Sequence, residues 1–486
     1  LVIGSAKTNL GHLETAAGIA GLIKGALVLK HGQVPASLHF KTPNPNIDFA
    51  ALKLRVPTSL EPLAGKTGER MVGVNSFGFG GANAHVILKE PPPAPQRALL
   101  NCTTDRTWPL VLSARSEASL RAGAWRLSTW LEDHSHMNGS SPLLPDLTYM
   151  LGARRNHHSH RLTLNARTMA EAVQELHAFS SGQAGPKLRT AFTPRRENPA
   201  RVVFVMSGQG PQWWGMGREL MQHEPVFRQM IEACDEAMKP WARFSLLGEL
   251  SRSEADSQMQ RTEISQAAIF AMQMGLAALW QSWGVQPAAV IGHSVGEVAA
   301  ACVAGILTLK EAAKVIVYRG RFMDDCAPHD GTMLAVGMAP DDARAVMARH
   351  GRTVSIAAFN GPRSLTLSGP RVELTAIAAD LEAQGIFARF LQVSHPFHHA
   401  LMQPAADALD AILGDLQPQT ATIPFFSTVT GQRMDGADCT ANHWSHGVRQ
   451  PVEFASAVGA VAEFGSDVWL EIGAHPALVR SIQECL

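Results

Sequence analysis

The fold is decided by the stretch Ile291-Gly-His-Ser-Val-Gly-Glu297, in which a serine stands between two glycines. An apolar run at 288–291 predicts a short buried strand, and the residues at 298–304 follow a helical pattern. A serine at such a strand-to-helix turn is typical of a nucleophile elbow, because the glycines permit a tight, strained turn that presents the hydroxyl at the edge of the sheet. The amide of Val295 then lies at a helix start and can stabilise an oxyanion. The alternative is a glycine-serine turn without chemistry.

Two other segments supply candidate partners for this serine. The segment 204–212 ends a strand in a glycine loop, whose amide near Gln209 is a candidate second oxyanion donor. A phosphate-binding loop would need a lysine that this loop lacks. His395, His398 and His399 follow the last strand-like segment of an inserted unit, and a serine needs such a base to be nucleophilic at neutral pH.

Arg319 and Arg321 lie in a largely apolar helical segment at 313–323. A buried arginine needs an anion, which can be a nearby carboxylate of the protein or the carboxylate of a ligand. Together with the serine and the histidines, these arginines favour covalent acyl transfer to and from serine. A serine hydrolase would use the same serine and base, although it usually adds an acidic residue that orients the histidine.

Composition limits the classes of function. A chain of 486 residues predicts about two to four domains. The 42 basic and 42 acidic residues balance, which argues against a nucleic-acid partner. Six cysteines without a C-x-x-C pair indicate reduced thiols and a cytoplasmic location, with neither a zinc site nor a disulfide framework. The longest apolar run is too short to cross a membrane, and no signal peptide is visible, so no membrane partner is expected.

The chain changes character along its length. Residues 1–90 are rich in glycine and end in two strand-like runs around a glycine loop, and the proline cluster at 91–95 predicts a linker. A small α/β unit follows to about residue 199. Its histidine cluster at 156–160 can suggest a metal site, but no acidic or thiol ligand lies beside it, so we interpret it as a solvated loop and expect no metal. From residue 200 strands and helices alternate, as in a parallel sheet.

The order of elements changes within the last region. Residues 331–394 follow a βαββαβ pattern, which predicts an inserted ferredoxin-like subdomain. The motifs G-Q-G at 208–210, G-H-S-V-G-E at 292–297 and H-P-F-H at 395–398 occur in this order. With them, residues 200–486 resemble the acyltransferase domain of type I polyketide synthases, a relative of the malonyl transacylases. Residues 1–90 resemble the C-terminal part of a β-ketoacyl synthase, and residues 91–199 the linker between the two.

The resemblance implies a fold and a set of roles. The fold is an α/β-hydrolase-like parallel-sheet core with the ferredoxin-like insertion, preceded by a small α/β linker domain and a partial thiolase-like ketosynthase. A backbone carbonyl would orient the base, near the segment 447–452, where Gly447 replaces the usual asparagine and is expected to loosen that orientation. The implied site residues are the nucleophile Ser294, the base His398, the oxyanion donors Gln209 and Val295, and Arg319 for a substrate carboxylate.

The resemblance also implies substrates and partners. A malonyl group would pass from malonyl-coenzyme A to the phosphopantetheine arm of an acyl carrier protein, with no cofactor bound by the chain. Phe397, with His395, resembles the malonyl-selective pattern. Methylmalonyl or another extender, a serine hydrolase, and a non-catalytic scaffold are the alternatives. Lys7 and His12 match ketosynthase residues, but the catalytic cysteine of that domain is absent. We therefore expect no condensation by this chain alone, and we expect the remaining ketosynthase, the downstream domains and a homodimer in a larger synthase.

Overall fold

The computed structural model describes residues 1–92, 106–135, 143–183, 185–194, 198–326, 330–350, 353–393 and 395–486. The chain divides into two compact units, Leu1–Pro194 and Arg195–Leu486. Most of the proline cluster that we interpreted as a linker, from Pro93 onward, lies outside the described residues, as does Cys102. Among the described residues, no helix is both long and apolar enough for a membrane crossing, and no three potential metal ligands are grouped together.

The first unit begins with a helix packed on a hairpin. Strands β3 and β4 pair antiparallel along their whole length, as the two strand-like runs around the glycine loop predicted. Helix α2 lies close to β3, because its Gly21 and Gly25 leave no side chain between helix and strand. The elements are α1 (Lys7–Leu10), α2 (Ala17–His31), β1 (Gln33–Val34), β2 (Glu61–Pro62), β3 (Met71–Phe77) and β4 (Asn83–Lys89).

The rest of this unit is a three-stranded antiparallel sheet in the order β5-β6-β7, covered by helices. Helix α4 and strands β6 and β7 were not predicted. We interpreted the histidine cluster at 156–160 as a loop, but its last residue, His160, is the first residue of β6. Leu162, Leu164 and Ala166 are buried on the inner face of this strand. The elements are β5 (Trp108–Ala114), α3 (Glu117–Ser135), α4 (Leu144–Ala153), β6 (His160–Ala166), α5 (Met169–Ser180) and β7 (Leu188–Phe192).

The second unit is built on a five-stranded sheet in the order β15 (Arg433–Met434), β14 (Phe425–Phe426), β9 (Pro287–Gly292), β8 (Val202–Met206) and β16 (Val468–Ile472). All neighbouring strands are parallel except β15, which confirms the predicted parallel core. Apolar clusters cover both faces of this sheet. Its elements before the insertion are β8 (Val202–Met206), α6 (Arg218–His223), α7 (Pro225–Met238), α8 (Leu246–Ser251), α9 (Thr262–Ser282), β9 (Pro287–Gly292), α10 (Gly296–Val303) and α11 (Leu309–Asp325).

The insertion has the βαββαβ order that the sequence predicted. Its strands form an antiparallel sheet in the order β11-β12-β10-β13 with a separate apolar core. The last strand is shorter than the predicted run from Phe387 to Val393. The elements are β10 (Gly331–Val336), α12 (Pro340–His350), β11 (Ser355–Gly361), β12 (Ser364–Pro370), α13 (Arg371–Ala383) and β13 (Ala388–Phe390).

The chain then returns to the central sheet. Strand β14 pairs with β9, and β16 closes the opposite edge beside β8. The elements are α14 (Gln403–Ile412), β14 (Phe425–Phe426), β15 (Arg433–Met434), α15 (Ala441–Arg449), α16 (Phe454–Phe464), β16 (Val468–Ile472) and α17 (Val479–Cys485).

Candidate active site

The predicted elbow joins β9 to α10 and is tightly packed. Ser294 has a φ of 51°, in the left-handed region that side chains rarely adopt. A Cβ at position 292 would lie 2.4 Å from the Cα of Glu297, and one at position 296 would lie 2.4 Å from the carbonyl oxygen of Met206. Both glycines are therefore required by close backbone approach, and the turn holds the serine in a strained conformation.

Replacing Gly296 with alanine should destabilise this unit. We expect a loss of about 3 kcal/mol, because the new methyl group collides with main-chain atoms that cannot rotate away. The measurement is the free energy of unfolding of the Arg195–Leu486 unit, from its urea transition in the full chain. Gly459→Ala is the control: this glycine lies inside α16 with no neighbouring atom within 4 Å of an added Cβ, so we expect about 0.5–1 kcal/mol of stabilisation. Equal effects of the two substitutions would contradict the packing argument.

His398 lies beside the serine. Its Nε2 is 2.7 Å from the Ser294 Oγ, and its Nδ1 is 2.8 Å from the carbonyl oxygen of Gln450. His398 also has a positive φ, of 57°. A neutral imidazole that donates from Nδ1 to this carbonyl presents the lone pair of Nε2 to the serine hydroxyl, which is the arrangement that a general base needs.

The orienting carbonyl corrects one expectation from the sequence. Gly447 does not orient His398; it lies in α15, where its carbonyl oxygen accepts from the Nη2 of Arg319 at 3.2 Å. The orienting residue is Gln450, whose φ of −76° and ψ of 156° are those that a residue before proline prefers. The glycine therefore does not loosen the histidine, since Pro451 restricts the backbone that carries the carbonyl group.

Arg319 reaches the same hydroxyl from α11. Its side chain is buried, with Nη2 donating to the Ser294 Oγ at 3.2 Å and Nη1 donating to the Oε1 of Gln266 at 2.7 Å. No carboxylate of the described residues forms an ion pair with it. Arg321, by contrast, donates to Glu263 at 3.2 Å, so it has a carboxylate within the protein. The structure thus separates the two arginines that the residue pattern alone left equivalent, although the family resemblance had implied Arg319.

Burial and charge set the protonation of the site. Burial and, to a smaller extent, the neighbouring charge of Arg319 lower the pKa of His398 to about 3, although the hydrogen bond to Gln450 acts in the opposite direction. Burial also lowers the pKa of Arg319 to about 10, although the charge of Glu297 raises it. At neutral pH the histidine is therefore an uncharged base and the arginine a cation.

These pKa values predict an unusual pH profile. We expect kcat/KM for acylation of Ser294 to stay level from about pH 8 down to about pH 5, because His398 remains uncharged well below the ordinary histidine pKa of about 6.5. The measurement is the single-turnover rate of acylation across that range, with circular dichroism as a check that the fold persists. A loss of rate centred near the ordinary histidine value would contradict it.

The predicted oxyanion donors flank the elbow. Val295 is buried immediately before α10, and Gln209 lies in the loop after β8, with its Oε1 3.4 Å from the Nε2 of Gln266. Gly208 brings this loop against the elbow, since a Cβ there would lie 2.7 Å from the Nδ1 of His293. The two loops are therefore adjacent, and donation by the amides of Gln209 and Val295 remains a prediction.

The other residues of the H-P-F-H segment face different surroundings. Phe397 is buried and stacks on the ring of His395 at 5.5 Å, and it is not among the described residues that line the cleft at Ser294. Burial lowers the pKa of His395. The Nε2 of His399 lies 2.6 Å from the carbonyl oxygen of Thr353, and its Nδ1 accepts from the amide of Leu401. His399 is thus engaged in structural contacts.

One buried polar cluster was not predicted. The carboxylate of Glu297, in the first turn of α10, accepts from Ser427 at 2.6 Å, from the amide of Thr428 at 2.8 Å and from His443 at 2.9 Å. Burial alone would raise the pKa of Glu297. The hydrogen bond and the charge of His443, together with hydrogen bonds from the hydroxyls of Ser427 and Thr428, hold this pKa below its usual value. The cluster ties the elbow to α15, and the only sequence signal was the glutamate that ends the elbow motif.

The predicted ketosynthase residues lie in the first unit. Lys7 begins α1 and is exposed, and His12 follows it on the surface, where its Nδ1 accepts from the amide of Glu14 at 3.0 Å. Their ketosynthase role remains a prediction.

Comparison with known proteins identifies the family of the chain. Residues 203–486 match the family model of the acyl transferase domain, residues 1–41 that of the β-ketoacyl synthase C-terminal domain, and residues 43–163 that of the ketoacyl-synthetase C-terminal extension. The erythronolide synthase EryA2 of Saccharopolyspora erythraea is 37% identical over 488 residues, which is 100% of this chain and 13% of that synthase. The spectinabilin synthase protein NorA' of Streptomyces orinoci is 37% identical over 491 residues, with the same coverage.

Solved structures show the same fold. The acyltransferase domain from module 8 of the salinomycin polyketide synthase is 32% identical with a TM-score of 0.71, over 78% of this chain and 88% of that one. The acyl transferase domain of SpnD, in complex with 2-(pent-4-yn-1-yl)malonyl, is 29% identical with a TM-score of 0.66, over 78% and 87%. The fold and the serine site thus define an acyl transferase. More narrowly, the chain belongs to the type I polyketide synthases and joins a ketosynthase C-terminal segment and its linker to an acyltransferase domain.

Proposed function

We propose that the acyltransferase domain moves a malonyl group from malonyl-coenzyme A to the phosphopantetheine thiol of an acyl carrier protein, through an ester on Ser294. The observation that carries the proposal is the position of one hydroxyl between a neutral base and a cation. The Ser294 Oγ contacts both His398 and Arg319. The chain spans 13% of the first two synthases compared, so its place in a longer reaction sequence is itself part of the proposal.

The first half-reaction forms the ester. His398 takes the proton of Ser294 while the Oγ of Ser294 attacks the thioester carbonyl. The amides of Gln209 and Val295 stabilise the resulting oxyanion, with each donor contributing about 3 kcal/mol to the transition state. The carbon–sulfur bond then breaks, and the coenzyme A sulfur leaves with the proton that His398 carried.

The second half-reaction reverses these steps with a different thiol. The carrier protein's phosphopantetheine thiol gives its proton to His398 and attacks the ester carbonyl. The carbon–oxygen bond breaks, and Ser294 recovers the proton from the histidine. The two products leave at different stages, so the kinetics should be of the ping-pong type.

Arg319 supplies the preference for a dicarboxylic acyl group. Its guanidinium is charged, buried and contacted only by neutral acceptors among the described residues. A malonyl carboxylate would provide the missing anion, whereas an acetyl group would leave the charge buried and unpaired. The substituted malonyl bound to SpnD is of this dicarboxylic class and supports the assignment.

The choice between malonyl and methylmalonyl rests on weaker interactions. We assign malonyl because Phe397 and Val295 follow the malonyl-selective pattern that the family resemblance implies, although Phe397 stacks on His395 and does not line the described cleft at Ser294. One methyl group changes the transition-state energy by only about 1–3 kcal/mol, so a larger extender is the main alternative. A serine hydrolase is the second alternative, but it would give no function to the unpaired charge of Arg319.

A competition experiment tests the proposal. The full chain is mixed briefly with equimolar malonyl-, methylmalonyl- and acetyl-coenzyme A, and its intact mass is measured. We expect one malonyl-sized adduct in excess over the other two. A predominant methylmalonyl adduct would show that methylmalonyl is the preferred acyl group and would leave the proposed mechanism unchanged. The absence of every adduct on folded protein would contradict the acyl-transfer proposal.

The proposal extends to the partners of the first unit. We infer that residues 1–90 complete a ketosynthase only with further chain, within a dimeric synthase, and that Lys7 and His12 do not act alone. One face of α2 supports this inference, because Ile19, Ile23 and Leu27 are spaced four residues apart and are all about half exposed or more.

A further inference from the structure

Helices α9 and α11 pack against each other and carry two arginine contacts of different kinds. Arg321 donates to the carboxylate of Glu263, and Arg319 donates to the side-chain amide oxygen of Gln266. Glu263 and Gln266 are three residues apart on α9 and therefore lie on the same face of the helix. All four residues are at most 9% exposed. The same helix pair thus holds one arginine with a charged acceptor and the other with a neutral one.

The two contacts differ in how much of the arginine's charge remains available to a ligand. Arg321 is paired with the carboxylate of Glu263, which also pairs with Arg261 at 3.3 Å, so Arg321 already has an anion within the protein. Gln266 satisfies one N–H of Arg319 and leaves its charge unchanged. The remaining acceptors of Arg319 are the Ser294 hydroxyl and the carbonyl of Gly447, which are also neutral. In the part of the chain that the structure describes, Arg319 is thus held in place by groups that do not neutralise it.

We propose that Gln266 is a specificity-determining residue: its uncharged amide positions the Arg319 guanidinium and keeps the charge available for the carboxylate of the acyl group. This inference rests on the proposed function and adds a residue to it. Position 266 matters because a carboxylate there would occupy the arginine permanently, as Glu263 occupies Arg321.

The surroundings of Gln266 favour an amide over an acid. Its Oε1 lies 2.7 Å from the Nη1 of Arg319, while its Nε2 lies 3.4 Å from the Oε1 of Gln209 and 3.5 Å from the Sδ of Met323. One end of the side chain thus faces a donor and the other end faces an acceptor. A glutamate would satisfy Arg319 but direct its second oxygen at the side-chain Oε1 of Gln209, where two acceptors repel each other. The contacts therefore match the two ends of a glutamine.

The test is an isosteric substitution, Gln266→Glu, in the full chain. The probes are malonyl-coenzyme A and acetyl-coenzyme A, and the readout is the rate of Ser294 adduct formation with each, measured by intact mass. We expect malonyl loading to fall about 100-fold, because the new carboxylate competes for Arg319 and repels the malonyl carboxylate. Acetyl loading should stay within about 3-fold of the wild-type rate, since the acetyl group does not use the charge.

Two further variants separate charge from packing. Gln266→Met keeps the length of the side chain and introduces no charge, but it removes the oxygen that accepts from the Nη1 of Arg319. The ratio of malonyl to acetyl loading should therefore fall by about 10-fold, which is less than in Gln266→Glu. Glu263→Gln changes the acid of the other contact to an amide and should leave this ratio unchanged. If Gln266→Glu does not fold, the methionine variant carries the test by itself, and a ratio equal to that of the wild type would overturn the proposal, because the amide would then not position Arg319.

The outcomes also separate this inference from the proposed function. If the wild-type chain loads no malonyl group, the proposed function fails before position 266 is tested. If the wild type loads malonyl and Gln266→Glu keeps the wild-type ratio, the inference alone is wrong. Equal losses of malonyl and acetyl loading in the glutamate variant would also overturn it, since they would indicate a packing role.

Discussion

Replacing Ser294 with alanine should abolish the acyl adduct. We expect acylation from malonyl-coenzyme A to fall by a factor of about 10⁵ or more, because Ser294 is the hydroxyl that the described residues place at the Nε2 of His398. The measurement is intact mass after incubation with malonyl-coenzyme A, together with transfer to a phosphopantetheinylated carrier protein. The substitution removes one oxygen from a half-buried side chain, so the fold should be preserved, as thermal unfolding would verify.

The control for this prediction is His398→Ala, which keeps the serine and removes its base. It should slow acylation severely but leave Ser294 as the site of any residual adduct. A malonyl adduct that persists in Ser294→Ala at the wild-type rate would place the nucleophile elsewhere. Since His398, Arg319 and the elbow all converge on this oxygen, such a result would contradict the whole site.

Replacing Arg319 with alanine should change which acyl group is loaded. We expect malonyl loading to fall about 10³-fold, because the substrate carboxylate would then be buried without a cation. Acetyl loading should fall much less, so the ratio of the two rates is the measurement.

Replacing Arg319 with alanine also removes a charge that lowers the pKa of His398. The acidic limb of the acetyl-loading profile should therefore move to higher pH.

Arg319→Lys is the matched variant for this prediction, since it keeps the charge and loses the planar fork. We expect it to retain part of the malonyl preference. A hydrolase would behave differently, because hydrolysis of an uncharged ester does not need this arginine. Equal losses for malonyl and acetyl groups in Arg319→Ala would favour a structural role for the guanidinium and contradict the proposed selectivity.

The elbow was predictable from the sequence because its cause is local. Two glycines around Ser294, between an apolar run and a helical pattern, are sufficient to indicate a strained turn, and the close approach to Met206 gives the reason for one of them. The ferredoxin-like insertion was predictable from the order of its elements. Strand β6 was not predicted, although Leu162, Leu164 and Ala166 alternate, because the histidines beside it suggested a loop.

The contacts that complete the site were not predictable in the same way. Gln266 and Arg319 are 53 residues apart in the chain, and nothing near either residue indicates the other. The carboxylate of Glu297 finds its partners more than 100 residues further along. The family resemblance implied that a main-chain oxygen would orient His398, but it did not identify Gln450, because every residue carries a carbonyl group. Only the folded chain selects that oxygen.

The use of a main-chain oxygen beside His398 has a consequence for how the site tolerates change. A side-chain acid in this position could be lost by a single substitution, whereas no exchange of the Gln450 side chain can delete its carbonyl group. The direction of that carbonyl depends on the backbone angle that Pro451 favours. The orientation of the base therefore depends on Pro451, a residue that forms no hydrogen bond with the ring nitrogens of His398. Substitutions at position 450 should therefore affect activity much less than substitutions at position 451.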